Sequence, residues 1–269
     1  MIDVHCHLLP GIDDGAPDDT AALAMARIAF ADGIRTTVCT PHIYPGLYEN
    51  DADGIRRRTA ELQRRLVEEG IGLVLAVGAD AHLTPELLSR LQEGTVPTLA
   101  GGRYVLLEPP HHVAPPRFAE SMWSLVAAGF VPVLTHPERL TWIGQDYAML
   151  AALVHAGVWM QVTAGSLAGR FGSGARYFAE RMLDDGLVHL LATDAHGVKH
   201  RAPLLAEGLQ VRDVLVVIDR EQGGKEELAR NGLTLHALAS LTQVLEALAS
   251  MGRVSQEQAA QVRRYLQGS

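Results

Sequence analysis

Short apolar runs alternate with longer helix-forming segments through the first two thirds of the chain. The runs that we predict to be buried strands are 36–39, 73–77, 104–107, 131–134 and 188–192. The segments that we predict to be helices are 18–31, 53–69, 115–128, 147–156 and 174–185. Five glycines each stand just before a predicted strand, 158–162 included, where a helix end and a tight turn favour positive φ: Gly33, Gly70, Gly129, Gly157 and Gly186. Strands that are apolar on both faces and alternate with helices predict a parallel sheet covered by helices.

The number of these strand–helix units favours an α/β fold that closes, or nearly closes, into a β/α barrel; a doubly wound open sheet is the alternative. After Arg201 the pattern predicts helices over 203–212 and 234–251 and one strand over 214–218. No linker rich in proline or serine separates this part. We therefore predict one domain over 1–269, of which 201–269 is a mostly helical C-terminal part.

One stretch of the chain, 147–169, contains no Asp, Glu, Lys or Arg and has about the length of a membrane span. Gly157 divides it into a helical pattern and a strand pattern, which favours two buried elements over one span. The N-terminus has neither the basic nor the apolar part of a signal peptide, and two cysteines exclude a disulfide framework. We expect a soluble cytoplasmic protein with no membrane insertion.

Histidine or carboxylate side chains follow the five apolar runs given above, and also follow a sixth predicted strand at 2–4, each at the carboxyl end. In parallel α/β folds these ends meet at one edge, where active sites form. The candidate ligands at this edge are His5, His7, Asp14, His42, Asp80, Glu108, His136, Asp194 and His196.

Imidazole and carboxylate groups together suit Zn²⁺, Mn²⁺ or Fe²⁺, and the absence of clustered cysteines argues against a structural zinc site. A single histidine after a strand is more often structural than a ligand. Six strand ends that agree are difficult to explain structurally, because unrelated histidines have no reason to share one edge. Nine candidates exceed the needs of one ion and predict two or three metals. The other histidines stay structural in this interpretation, although His82 and His111 lie on loops that can face the cleft.

The charge balance changes which substrate is expected. A formal net charge of −8 argues against a general nucleic-acid binder. Arg139 and Arg201, however, follow the candidate ligands His136 and His196 on loops, where a guanidinium matches phosphate oxygens. Glu138 is interpreted as an exposed loop acid that pairs with Arg139.

These features favour hydrolysis of a phosphoester by water, since a multinuclear site polarises a phosphoryl oxygen and lowers the pKa of bound water to about 7. A thiolate phosphatase is excluded. Such an enzyme needs an arginine six residues after its cysteine, in the loop that binds the phosphate. The residues six positions after Cys6 and Cys39 are Ile12 and Pro45.

The motifs that carry this chemistry resemble those of the polymerase and histidinol phosphatase (PHP) superfamily. The opening Met-Ile-Asp-Val-His-Cys-His belongs to this resemblance. Asp13-Asp14-Gly15 and His136-Pro-Glu-Arg139 together resemble, more narrowly, the bacterial manganese-dependent tyrosine-protein phosphatases of capsule and exopolysaccharide operons. Further blocks of the same resemblance surround His42, Glu108 and His196, so that it extends from Met1 to about Arg201.

The resemblance implies a distorted barrel of seven strands that holds two or three divalent ions, first of all manganese, with iron, zinc, cobalt or magnesium as alternatives. It implies a phosphotyrosine protein as substrate, namely a bacterial tyrosine kinase that regulates capsule or exopolysaccharide synthesis. The nine candidates correspond to the family's ligands, and Arg139 and Arg201 to its phosphate-binding arginines; Asp194 is a candidate for assisting proton transfer. Asp80 stands where the family usually has Glu, and a shorter acid is expected to weaken one metal contact. The part after Arg201 lacks the family's tail pattern, so no oligomeric state is predicted.

Three alternatives remain at this point. The first is a PHP-type phosphatase of a small molecule such as histidinol phosphate. The second is an exonuclease, which the acidic charge disfavours. The third is a non-catalytic binding module stabilised by metals, which a complete ligand set beside Arg139 disfavours.

Overall fold

The computed structural model describes residues 1–199, 202, 213–219, 224–230, 234–251, 253–255, 257–258 and 261–262. Arg201 and the helix predicted over 203–212 lie outside these residues. The chain divides into two compact units, Met1–Leu209 and Gln210–Ser269. A single domain over 1–269 stays a prediction.

The first unit is built on parallel strands, as predicted. They are β1 (Ile2–Cys6), β2 (Thr36–Cys39), β3 (His42–Ile43), β4 (Val74–Val77), β5 (Asp80–His82), β6 (Tyr104–Glu108), β7 (Val131–Thr135), β8 (Trp159–Thr163) and β9 (Leu190–Ala192). Three strands form one sheet in the order β1-β2-β4, and six form another in the order β3-β5-β6-β7-β8-β9. Every pairing within these two sheets is parallel.

Helices separate these strands along the chain. They are α1 (Asp19–Ala31), α2 (Ala52–Glu68), α3 (Leu87–Gln92), α4 (Phe118–Ala127), α5 (Ala148–His155), α6 (Ala164–Leu167) and α7 (Gly172–Asp184), with 3-10 turns at Leu99–Gly101, Pro137–Arg139 and Ile143–Gln145. The five helices predicted from the sequence are confirmed. Two of them begin at an aspartate whose side chain accepts a backbone N–H: Asp18 caps α1 and Asp51 caps α2. The glycines before the strands all have positive φ, as expected.

A single closed ladder of seven strands is not confirmed, because the described strands form two sheets. Thr40 and Pro41 interrupt the chain between β2 and β3, and Gly78 and Ala79 interrupt it between β4 and β5. Each of these two extended segments therefore begins in the three-stranded sheet and ends in the six-stranded one. The first and last strand regions meet at a parallel bridge between Cys6 and Ala195.

The core lies between these sheets and the helices. All five residues of β7 are buried, as expected for a parallel strand covered on both faces. On α2, Ile55, Leu62 and Leu66 are buried on one helical face. In the described residues no helix has the length and apolar character to cross a bilayer. This packing fixes the strand ends that carry the candidate ligands.

The second unit contains β10 (Asp213–Asp219), α8 (Gly224–Arg230), β11 (Thr234–Ser240) and α9 (Leu241–Ser250), and its two strands pair in parallel. The strand predicted over 214–218 is confirmed within β10. The helix predicted over 234–251 is wrong in its first half, which forms β11. A short apolar run such as Leu-His-Ala-Leu-Ala suits a strand as well as a helix. The helix begins only after Ser240, which forms a capping box with Gln243. The described residues of the C-terminal part thus combine a pair of parallel strands with helices.

Candidate metal centre

The nine ligand candidates predicted from the sequence converge at one end of the strands. Each belongs to at least one group of three or four side chains whose nitrogen and oxygen ligand atoms lie within 4.8 Å of one another. These side chains are His5, His7, Asp14, His42, Asp80, Glu108, His136, Asp194 and His196. His111 joins them in a group with Glu108 and His136.

Strand geometry explains this convergence. His5 and His7 are two residues apart at the end of β1, so their rings share one side, with Nε2 atoms 3.1 Å apart. In the sheet register, His42 of β3 is the partner of Asp80 of β5. Nδ1 of His42 consequently lies 3.6 Å from Oδ2 of Asp80 and 3.5 Å from Oε2 of Glu108.

The groups of neighbouring ligand side chains overlap, so that one side chain belongs to more than one group. Such sharing is expected of a centre that binds more than one metal ion. One group consists of His7, Asp14, His42 and His196, and Oδ1 of Asp14 lies 3.4 and 3.3 Å from Nε2 of the last two. Other groups combine His5 with Asp80 or with Asp194, and His42 with Glu108. Several side chains thus belong to two groups.

Hydrogen bonds from outside the cluster orient its two central histidines. Nδ1 of His5 lies 2.8 Å from Oε1 of Gln161, and Nδ1 of His7 lies 2.7 Å from Oδ2 of Asp13. Because the amide oxygen of Gln161 only accepts, Nδ1 of His5 donates, which directs Nε2 to the cluster. Second partners of this kind are typical of metal-binding histidines.

Asp80 shows that the donor set fits cations. Both of its carboxylate oxygens are buried and accept no hydrogen bond from the described residues. Burial raises the pKa of Asp80, and the charge of Glu108 adds to this effect. A buried acid of this kind is costly unless a cation compensates it. The cluster therefore fits divalent metal ions.

The protein alone offers protons as the compensating charge. Burial by itself lowers the pKa of His5, but the nearby carboxylates of Asp194 and Asp80 outweigh it and raise the pKa to about 9. Burial, together with the positive charges of His196 and His42, lowers the pKa of His7 well below its usual range. Metal binding would displace the proton from His5, because a ligating imidazole is neutral.

The positively charged side chain of Arg139 lies beside this cluster. The NH1 nitrogen of Arg139 donates to Oδ2 of Asp194 at 2.6 Å, and its guanidinium lies 4.3 Å above the centre of the Phe171 ring. The side chain is 13% exposed, so one part of its donor fork remains accessible. Arg201, the other arginine predicted for this edge, lies outside the described residues.

The sequence profile for capsular polysaccharide synthesis proteins of the CpsB/CapC type matches residues 1–216. The chain belongs to the CpsB/CapC family. The matched residues include every candidate ligand.

Relatives of known function agree with this membership. The chain is 37% identical over 227 residues to the tyrosine-protein phosphatase YwqE of Bacillus subtilis, covering 84% of this chain and 86% of YwqE. It is 27% identical over 220 residues to the tyrosine-protein phosphatase CpsB of Streptococcus pneumoniae, covering 78% of this chain and 89% of CpsB. A chain from the crystal structures of these two proteins, described as metal-dependent tyrosine phosphatases, matches with a TM-score of 0.74 and 37% identity. That match covers 78% of this chain and 85% of the other.

Asp3 and Thr193 support the centre, and sequence reasoning did not find them. Asp3 is buried and accepts hydrogen bonds from the backbone N–H of Thr193 at 3.2 Å and from its hydroxyl at 2.6 Å. The next residue, Asp194, has a φ of 49°, and His136 has a φ of 32°. Non-glycine residues in this left-handed region are strained and concentrate at functional sites. The available signal was an aspartate between the apolar residues Ile2 and Val4 of a strand.

Glu138 differs from its predicted role in this CpsB/CapC family member. It is not an exposed loop acid, because only 2% of it is exposed. Its Oε1 accepts from the backbone N–H of Thr163 and from the hydroxyl of Ser166, at 3.0 and 2.6 Å. Burial raises the pKa of Glu138 to about 7, although these two hydrogen bonds oppose the shift. Glu138 thus links the turn that carries Arg139 to the start of α6.

The two loop histidines have different positions. Nε2 of His111 lies 3.0 Å from Oε1 of Glu108, so this side chain belongs to the edge of the centre. His82 stacks on the ring of Tyr44, with centroids 3.8 Å apart. His189 accepts a hydrogen bond from the backbone of Met160, which supports its structural interpretation.

Proposed function

We propose that this CpsB/CapC family member is a metal-dependent phosphomonoester hydrolase that removes phosphate from phosphotyrosine in a protein. The observation that carries the proposal is the position of Arg139, which donates to Asp194 at the edge of a cluster of buried metal-ligand candidates. Its relatives YwqE and CpsB are tyrosine-protein phosphatases, and this chain covers most of their length.

The proposal includes two or three bound divalent ions. Manganese is the first choice, and iron, zinc, cobalt and magnesium are the alternatives. We assign the ions to the nine side chains predicted from the sequence and include His111 as a further candidate. Such ions, when bound, polarise a phosphoryl oxygen and lower the pKa of water, so that hydroxide is available at neutral pH.

The chain's own contribution is to orient and neutralise the phosphate. The guanidinium of Arg139 offers a planar fork of donors that matches phosphate oxygens. Asp194 and the Phe171 ring hold this fork at the edge of the cluster. We assign the same phosphate-binding role to Arg201, and we assign the acceptance of a proton from the attacking water to Asp194. A phenolate leaves readily, so a strong general acid is not required.

Water is the nucleophile in this proposal because the cysteines are unsuited to the role. Cys6 and Cys39 are buried, and burial raises the pKa of Cys6 well above its usual range and that of Cys39 to about 12. A buried thiol of raised pKa has little thiolate and is inert.

The physiological partner that we propose is a bacterial tyrosine kinase that regulates capsule or exopolysaccharide synthesis. The description of the family as one of capsular polysaccharide synthesis supports this assignment. Because such a kinase uses ATP, we place the reaction in the cytoplasm. We further propose that the two sheets of the first unit act as one distorted barrel of seven strands, with β2 continuing into β3 and β4 into β5.

A comparison of three substrates tests the proposed function. Metal-loaded protein is assayed with a phosphotyrosine peptide, the same peptide carrying phosphoserine, and histidinol phosphate. We expect the highest kcat/KM with the phosphotyrosine peptide. A higher kcat/KM with histidinol phosphate would establish a small-molecule phosphatase instead, and no turnover of any substrate would support the binding module.

A further inference from the structure

A groove opens beside the candidate metal centre, on the side of Asp14 and His196. Its volume is about 440 Å³. Its lining includes Asp14 and His196, two of the candidate ligands, together with Pro17 and Ala21. Val198 and Lys199, which are exposed, also line it.

The groove has a definite charge pattern. Asp14 is the acid in its lining, and Oδ1 of Asp14 lies within 3.4 Å of Nε2 of both His42 and His196. Asp14 is thus in contact with two histidines of the candidate centre. Lys199 makes no ion pair with any residue in the described part of the chain, so its positive charge is available at the rim.

We propose that this groove receives the residues of a substrate peptide adjacent to the phosphotyrosine, and that Lys199 selects an acidic side chain among them. This inference rests on the proposed function, because Asp14 and His196, two candidate ligands of the reacting centre, line the groove.

Charge complementarity and the apolar lining favour a peptide as the occupant. The groove has apolar surface from Pro17, Ala21 and Val198. The side chains of a peptide can pack against such surface, whereas a phosphate group cannot use it. The phosphate already has Arg139, which donates to Asp194 at the centre itself. Lys199 is therefore left for a second negative group.

The test compares two phosphotyrosine peptides of equal length, one with glutamates and one with lysines flanking the phosphotyrosine. The full-length, metal-loaded protein is used, and the ratio of kcat/KM for the two peptides is measured. For the unmodified protein we expect a preference for the glutamate peptide of about tenfold, because Lys199 attracts the flanking glutamates of one peptide and repels the flanking lysines of the other. The preference should lie mainly in KM and should fall towards unity between about 0.1 and about 1 M salt, as the Debye length falls from about 10 to about 3 Å.

Charge reversal at Lys199 gives the decisive variant. Lys199→Glu should invert the ratio in favour of the lysine peptide, and Lys199→Ala should bring it close to unity. Lys225→Ala, which removes an exposed lysine of α8 in the second unit, is the matched control and should leave the ratio unchanged.

The outcomes separate the inference from the proposed function. A Lys199→Glu protein that loses the same factor on both peptides, or an unmodified protein without a preference, would overturn the inference while the phosphatase proposal stands. Failure of the proposed function has a different result, since the unmodified protein would then hydrolyse neither peptide with metal present.

Discussion

Arg139 donates to Oδ2 of Asp194 across 2.6 Å, which joins the cation proposed to hold phosphate to a ligand candidate of the metal cluster. The two residues are far apart in the sequence, and each follows a different strand. Their contact places phosphate binding and metal binding at the same point of the fold.

Removal of the Arg139 side chain should impair catalysis without emptying the metal centre. We expect Arg139→Ala to lower kcat/KM for a phosphotyrosine peptide by about 10²–10³-fold, the usual effect of removing one preorganised donor to the reacting group. Arg139→Lys should recover only part of the loss, because an ammonium lacks the planar fork. The measurement combines steady-state kinetics with metal analysis of the same preparations.

Arg176→Ala is the control for this experiment, since Arg176 pairs with Glu180 on an exposed face of α7. It should change neither kinetics nor metal content. If Arg139→Ala loses its metal along with its activity, the arginine holds the centre together and does not act on phosphate.

Asp80→Asn should have opposite effects on the metal-free and the metal-loaded protein. Burial raises the pKa of Asp80 in the folded protein, so this acid favours folding below its unfolded pKa and opposes folding as the pH rises above it. Near neutral pH the metal-free variant should therefore be more stable, by about 1–3 kcal/mol. The gain should shrink towards acidic pH. Added Mn²⁺ should stabilise the variant less than the unmodified protein.

Thermal unfolding with and without metal, at neutral and at mildly acidic pH, measures these effects. An Asn variant that is destabilised without metal, and still gains the full stabilisation from Mn²⁺, would remove Asp80 from the ligand set.

Thiol reagents should leave the protein active. Both cysteines are buried, and burial raises the pKa of Cys39 to about 12 and that of Cys6 as well. We expect iodoacetamide at about pH 8 to modify neither thiol in the folded protein and both in urea, as read by mass spectrometry. Rapid loss of activity together with modification of Cys6 would contradict the assignment of water as nucleophile.

The sequence predicted the candidate centre better than it predicted the sheet that carries it. Its ligand candidates are read from strand ends, and parallel strands bring their carboxyl ends to one edge whatever the details of pairing. His7 and His196 illustrate this, because their rings stack with centroids 3.8 Å apart although 189 residues separate them. The division into two sheets depends instead on local breaks at Pro41 and Gly78, which hydrophobic pattern does not record.

The supporting residues were missed for a related reason. Gln161 and Asp3 act through partners distant in sequence, His5 and Thr193, and no periodicity connects these pairs. Glu138 looked like a loop acid because a polar residue after a strand is usually solvated; its burial arises from the later helix α6. In the second unit, the sequence predicts one helix over 234–251, although the first part of this range forms β11. The capping side chain of Ser240 marks the start of α9.

Removal and return of metal tests the central claim most directly. The protein is treated with a chelator, dialysed, and assayed on a phosphotyrosine peptide before and after Mn²⁺ is added, with the bound metal counted in each state. We predict that activity disappears with the metal, returns with Mn²⁺, and saturates at two or three ions per chain. Full activity in the metal-free protein, or no activity at full metal occupancy, would contradict a metal-dependent phosphatase.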